Sequence, residues 1–276
     1  MTLTRRSVLG ALGTAPLLTA AAAPAPAAAL PAVSMEALVK AAQWDPAKAG
    51  EDVTPGCGPS VRLVESALQA RGLLAAAYVD GHFGTRTRAA YAAWQRSLGY
   101  SGLGANGLPG SASLTRLAAG RFTVTHPLSP GARRTLQGFA VNARTAAMAE
   151  AAQQRCGFRF TLEQGSYSPG EDPTSAGTHD GGGALDLDAE RLSAAQRRAA
   201  VTALREVGFA AWLRTPAQGS WPLHVHAVAI SDTDLSPAAL DQVGDYYEGR
   251  NGLRGDGPDD GPAVRKVTYE EHLRSR

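Results

Sequence analysis

Each helical pattern in this chain runs into a glycine. Val61, Val64 and Leu68 recur at helical spacing after a Ser60 cap, and the run stops at Gly72. Ala90, Tyr91, Trp94 and Leu98 share a face behind Thr85 or Thr87, and Gly99 stops them. A third, short helix is expected over Ser111 to Leu117. An alanine-rich pattern from Ala132 to Arg155 predicts one long helix with Leu136, Phe139, Ala140, Ala143 and Ala147 buried, ended by Gly157. The Ser193-x-x-Gln196 capping box opens another helix, which Gly208 terminates. Such stops, drawn from 31 glycines and 17 prolines in 276 residues, exclude one long helical bundle. Between them, Phe158, Phe160 and Leu162 alternate with polar residues, and Val225 to Ile230 forms a second strand-like run. Short helices and short strands without regular alternation predict an α+β fold with a small, mainly antiparallel sheet.

Residues 1–29 read as an export signal and not as fold. Arg5-Arg6 precedes an apolar stretch from Val8 to Ala23, Ala-Pro repeats and an Ala27-Ala28-Ala29 cleavage site. The arginine pair resembles a twin-arginine signal. The stretch is broken by Gly10, Gly13 and Pro16 and has no basic stop, so a secreted protein without stable membrane insertion is expected. There are 27 Lys and Arg against 25 Asp and Glu, and both surplus charges are Arg5 and Arg6. The remainder is neutral, which argues against a nucleic-acid partner; a monomer is expected. Two cysteines, Cys57 and Cys156, are too few for a structural zinc cluster. Export permits a bridge between them, worth roughly 4–5 kcal/mol for a loop of about 100 residues, but the sequence leaves open whether they meet.

The expected organisation is a linker over 30–56 with one short helix from Met35 to Gln43, and a domain over 57–120. A Pro127- and Pro130-bearing linker follows over 121–132, then a second domain over 133–248 and a charged flexible tail over 249–276.

Three of the six histidines lie in two compact motifs. The first is Gly177-Thr178-His179-Asp180-Gly181-Gly182-Gly183-Ala184-Leu185-Asp186, where three glycines let the chain turn sharply between His179 and Asp186. The second is Trp221-Pro222-Leu223-His224-Val225-His226, in which a strand puts His224 and His226 on one face. His179, Asp186 and His226 offer two nitrogens and one oxygen, a ligand set suited to one zinc with a position left for water. His224 would face that water.

Two resemblances follow from these residues. Val61, Leu68-Gln69, Gly72 and Asp80-Gly81-His82-Phe83-Gly84, with Thr87, Tyr91 and Trp94-Gln95, resemble the three-helix peptidoglycan-binding domain of cell-wall hydrolases. In that motif Tyr91 and Trp94 are expected in the core. The spacing His179-x-x-Gly182-x-Ala184-x-Asp186, with His224-x-His226 downstream, resembles the zinc D-Ala-D-Ala peptidases, which share their core with lysostaphin-type endopeptidases and the hedgehog domain. That likeness implies one Zn2+ on His179, Asp186 and His226, with His224 as the catalytic histidine. Together the two imply a cell-wall protein that binds peptidoglycan and cuts peptide bonds in its stems or cross-links. Two departures stand out: Leu223 replaces the acid found three residues before the final ligand, and Gly165-Ser166-Tyr167-Ser168 lacks the arginine that holds a substrate carboxylate. The missing arginine leaves an endopeptidase more open than a carboxypeptidase. The alternative is a non-catalytic wall-binding protein with a vestigial or structural metal site.

Overall fold

A computed structural model describes residues 29–255 and 257–276. The export signal falls outside the described residues except for Ala29. The chain is mixed α and β. Strand β1 (Ala32–Ser34) leads into α1 (Met35–Trp44), capped by Ser34, whose Oγ accepts from the Ala37 amide. Helices α2 (Gly58–Gln69), α3 (Thr85–Ser97) and α4 (Ser111–Ala118) follow, and β2 (Thr123–Thr125) returns to pair in parallel with β1. Next come β3 (Arg133–Leu136), β4 (Phe139–Asn142), α5 (Ala143–Cys156), β5 (Leu162–Gln164) and β6 (Ala184–Asp188). The chain finishes with α6 (Ala194–Glu206), β7 (Phe209–Arg214), β8 (His224–Ala229), α7 (Pro237–Tyr247) and α8 (Tyr269–Arg274). Among the described residues no helix is long and apolar enough to cross a membrane.

The central sheet runs β5-β6-β8-β7 and is antiparallel throughout. Its register aligns Asp186 with His226 and Trp212, and Asp188 with His224 and Arg214. Paired residues project from the same face, so all six side chains share one side of the sheet. Leu185, Leu187, Val225, Ala227 and Ala211 occupy the other side, buried with Met148, Ala149, Val201 and Leu204 of α5 and α6. On the first side, Ala210, Trp212, Val228 and Ile230 pack instead into a core that includes α7 and the N-terminal helices.

Several sequence expectations fail here for identifiable reasons. Residues 30–56 are not a linker: Val33, Met35, Leu38 and Val39 are fully buried, and α1 packs on α7, with Trp44 stacked on Tyr247 at 4.6 Å. Residues 121–132 likewise bury Phe122 and Leu128 and carry β2. The long helix from Ala132 is a two-stranded hairpin followed by a shorter helix. Gln137 and Gly138 both take positive φ (51° and 90°) between paired Leu136 and Phe139, the two-residue turn whose twist suits a hairpin. Asn142 then caps α5, whose buried face is Thr145, Met148, Ala149 and Ala152, whereas Leu136, Phe139, Ala140, Ala143 and Ala147 are not buried. Ser60 is not the cap of α2, which begins at Gly58; its Oγ accepts from the Ser34 amide at 3.0 Å. The tail is anchored: Arg205, buried in α6, donates to both carboxylate oxygens of Asp259, and Arg144 does the same to Glu270. Cys57 and Cys156 are free thiols, one in each of the two cores.

The motif over 80–95 behaves as a packing device. Glu65, on α2, accepts from the Gly81 amide (2.8 Å) and the Thr87 hydroxyl (2.9 Å). Tyr91 and Trp94 are buried, and both bond to Ser113 of α4. Gln95 clamps the following loop, donating to Leu108 O and accepting from Gly107 N.

Candidate metal centre

The two histidine motifs converge on the polar side of the sheet. Ligand atoms of His179, Asp186 and His226 all lie within 4.8 Å of one another. Asp186 projects from β6 and His226 from the paired position on β8; His179 comes in from the loop before β6. That loop is fixed by close backbone approach. A Cβ on Gly181 would meet Asp234 O and lie 2.5 Å from Ser236 N, and one on Gly182 would lie 2.7 Å from Tyr167 Oη. Only Gly183 of the three needs its positive φ, +82°. The glycines therefore serve contact with residues 232–236 more than a sharp turn.

Hydrogen bonds set the histidine tautomers. The Gly165 carbonyl can only accept, so the His179 Nδ1 beside it at 2.6 Å carries a proton, which leaves Nε2 facing Asp186 Oδ2 at 3.2 Å. His179 is fully buried, and Nε2 has no hydrogen-bond partner among the described residues. His226 faces an acceptor on each side: Asp186 Oδ1 at 2.7 Å from Nδ1, and Gln242 Oε1 at 2.8 Å from Nε2. Gln242 is oriented by its own Nε2, which donates to Gly252 O. Burial pushes the His226 pKa down despite the Asp186 carboxylate beside it, so the ring favours the neutral form with a single proton. One of its two facing pairs is then acceptor against acceptor. A cation between Nδ1 and Oδ1 removes that conflict and leaves Nε2–H for Gln242. The same cation would complete His179 Nε2.

These residues therefore fit a divalent metal: two imidazole nitrogens and one carboxylate, each steered by an outer hydrogen bond. Burial pushes the Asp186 carboxyl up, but His226 and His179 outweigh it and hold it well below the usual carboxylate range. Burial likewise opposes charge on His179, and Asp186 more than offsets it, raising that histidine. His224 sits just outside the cluster, Nε2 at 3.9 Å from Asp186 Oδ1, with Nδ1 donating to Pro222 O at 2.9 Å. Its Nε2 lone pair faces the same space.

That space is a cavity of about 640 Å³. Its floor is the cluster; Glu163, Glu171 and Asp172 line it, as do Arg214, Gly252 and Arg254. Glu163 and Arg214 belong to the two edge strands, on opposite sides of the cluster. Glu163 sits in a register shift of β5, where two residues oppose one on β6, the kind of bulge that re-aims a side chain beside a site. Burial and the neighbouring Asp188 charge push its carboxyl up.

The structure thus brings together His179, Asp186, His226 and His224; His82, His126 and His272 lie outside the cluster. Gln242, Glu163 and Arg214 escape sequence reasoning. For Arg214 a signal exists: Trp212 and Arg214 alternate after Gly208 as His226 and His224 do on the paired strand. No family model, no curated protein and no solved structure matches this chain.

Proposed function

We propose that this chain is an exported, zinc-dependent hydrolase of peptide bonds in peptidoglycan, with residues 57–120 contributing attachment to the wall. The observation that carries the reading is the His179–Asp186–His226 group, whose ligand atoms converge within 4.8 Å of one another against an open cavity. His179 Nε2, an Asp186 oxygen and His226 Nδ1 would hold the ion. When bound, a zinc ion supplies Lewis-acid polarisation of a carbonyl and acidifies water near it. The protein's own part is to place a base and keep the floor rigid. His224 Nε2, with no hydrogen bond among the described residues while Nδ1 is engaged by Pro222, would take a proton from the attacking water and return it to the leaving amine. Gly165 and Gln242 orient the outer nitrogens of His179 and His226.

The test is metal analysis combined with digestion of purified peptidoglycan. Wild type should carry close to one zinc per chain, and His179→Ala, Asp186→Ala and His226→Ala should each lose most of it. His224→Ala should keep zinc and lose roughly 10²- to 10⁴-fold in release of soluble peptides. Zinc-loaded wild type that releases nothing, even from cross-linked material, assigns the chain to wall binding without cleavage. Absence of zinc after metal-replete purification overturns the site itself.

A further inference from the structure

Arg214 ends β7 beside the cluster and has an incomplete set of partners. It is 3% exposed and lines the cavity. Nη1 donates to Asn251 O at 2.7 Å, and the guanidinium lies 4.8 Å from the Trp212 ring centroid. Nη2 is buried and has no hydrogen-bond partner among the described residues. Neighbouring carboxylates are engaged elsewhere. Asp259 binds Arg205, Asp260 accepts from Gln218, and Asp186 faces His226 and His179. Gly252 keeps the approach open, since a Cβ there would lie 3.3 Å from Nη2. A buried guanidinium with an unmatched donor edge is costly unless something completes it, and a carboxylate matches that edge best. Burial draws the guanidinium down to about 10, so it stays charged at neutral pH.

We propose that Arg214 Nη2 receives a carboxylate of the ligand, so that the substrate is a short peptide with a free carboxylate within one or two residues of the amide at the cluster. The spacing follows from register: Arg214 pairs directly with His224, and His226 lies one side-chain step further along the same face. Glu163, Glu171 and Asp172 line the same cavity and disfavour an anion near them, which orients the peptide with its negative end toward Arg214. The turn at Gly165–Ser168 has no arginine; here the cation is supplied by the far edge of the sheet.

The identity of the ligand rests on the peptidoglycan-hydrolase reading, whereas the anion site rests on Arg214 alone, so the experiment measures binding and not turnover. Isothermal titration with acetyl-D-Ala-D-Ala, its C-terminal amide, and a tripeptide amide whose sole carboxylate is an internal glutamate should be run on zinc-loaded and metal-free protein. Wild type should bind the free acid at least about tenfold tighter than the amide, the size expected of one charged hydrogen bond. Arg214→Gln should erase that preference and Arg214→Lys keep part of it. Preference for the glutamate peptide over the acid supports the carboxylate site with a side-chain source. Equal binding of acid and amide by wild type, a preference that survives Arg214→Gln, or no binding of any probe overturns the inference. If Arg214→Gln does not fold, the wild-type comparison and Arg214→Lys decide. An acid preference with no cleavage of peptidoglycan by zinc-loaded protein sinks the hydrolase reading and leaves this site standing; cleavage without acid preference does the reverse.

Discussion

Glu65 sits inside the N-terminal core with both carboxylate oxygens occupied, by the Gly81 amide and the Thr87 hydroxyl. Burial nevertheless dominates and raises its pKa from 4.5 to about 7. In the unfolded chain the carboxyl titrates near its ordinary value, so the folded state holds the proton over an interval in which the unfolded state has lost it. Stability from this residue is therefore complete below about pH 4.5 and declines as pH rises to about 7. Urea unfolding across that interval should show a fall on the order of 1–3 kcal/mol. Glu65→Gln should flatten it at little cost at low pH, because the amide oxygen can accept from the Gly81 amide while its NH2 donates to the Thr87 hydroxyl, as the protonated carboxyl can. A slope unchanged in the variant assigns the titration to another group. The same scale explains what could be read from sequence at the candidate metal centre. His224 and His226 are two apart, so any strand puts them on one face, and His179 and Asp186 flank glycines that fix the loop between them. Gln242 has no such local pattern, and the alternation of Trp212 with Arg214 does not say which strand they pair with. Gln242 reaches His226 only because α7 packs over the sheet, and Arg214 matters only because β7 pairs with β8.

The largest departure from expectation is a hairpin where one long helix is expected. Alanine suits a helix so well that the pattern from Ala132 to Arg155 hid the one dipeptide that decides the first ten residues. Gln137-Gly138 adopts two consecutive positive-φ residues, which no helix tolerates. The β3–β4 hairpin in turn supports the centre, because the Ser166 amide donates to Ala140 O and a Cβ on Gly165 would lie 2.7 Å from Phe139 Cβ. Gly165 is the carbonyl that orients His179, so the hairpin sets that tautomer indirectly. The Gly181–Gly183 segment makes an analogous demand on the other side. Gly181→Ala places a methyl against backbone atoms of Asp234 and Ser236, which cannot yield as a side-chain tip can. It should lower stability by about 2 kcal/mol or more and reduce zinc content together, measured by thermal melting and metal analysis of the same sample. Gly170→Ala, at an exposed site with nothing within 4 Å of the added carbon, is the comparison: only its positive φ of 74° is strained, and zinc content should stay unchanged. Equal zinc loss in both variants argues that the loop is not held by the contact at residues 234–236.

At the scale of the whole molecule, sequence reasoning separates two modules and the packing joins them. Local motifs set 57–120 apart in the sequence, yet its hydrophobic core also contains Val33, Met35 and Leu38 before it and Leu240, Val243 and Tyr246 after it. Polar contacts tie the same surfaces: Gln43 accepts from the Ser231 amide, Asn106 donates to Leu235 O, and Arg88 pairs with Asp241. These contacts span more than a hundred residues of sequence, and periodicity within a short window carries no information about them. The consequence is testable by dissection. Residues 57–120 alone would leave the apolar surface that meets α1 and α7 in water, without the Met35 side chain that packs at Ser111 and Leu128. A small domain so stripped lacks the buried area to offset its chain entropy. That fragment should show no cooperative thermal transition by circular dichroism, while the segment 30–248, which restores α1, α7 and the strands between, should melt cooperatively. The segment should melt below the intact chain, because it loses the Arg205–Asp259 and Arg144–Glu270 pairs and leaves two buried guanidiniums without their carboxylates. Cooperative melting of 57–120 at the temperature of the intact chain overturns the shared core, and the proposed wall attachment then becomes testable on the fragment. Otherwise the proposed wall attachment and the proposed cleavage must be told apart by single substitutions such as His224→Ala within the full protein, since any cut between the two parts removes half of a common core.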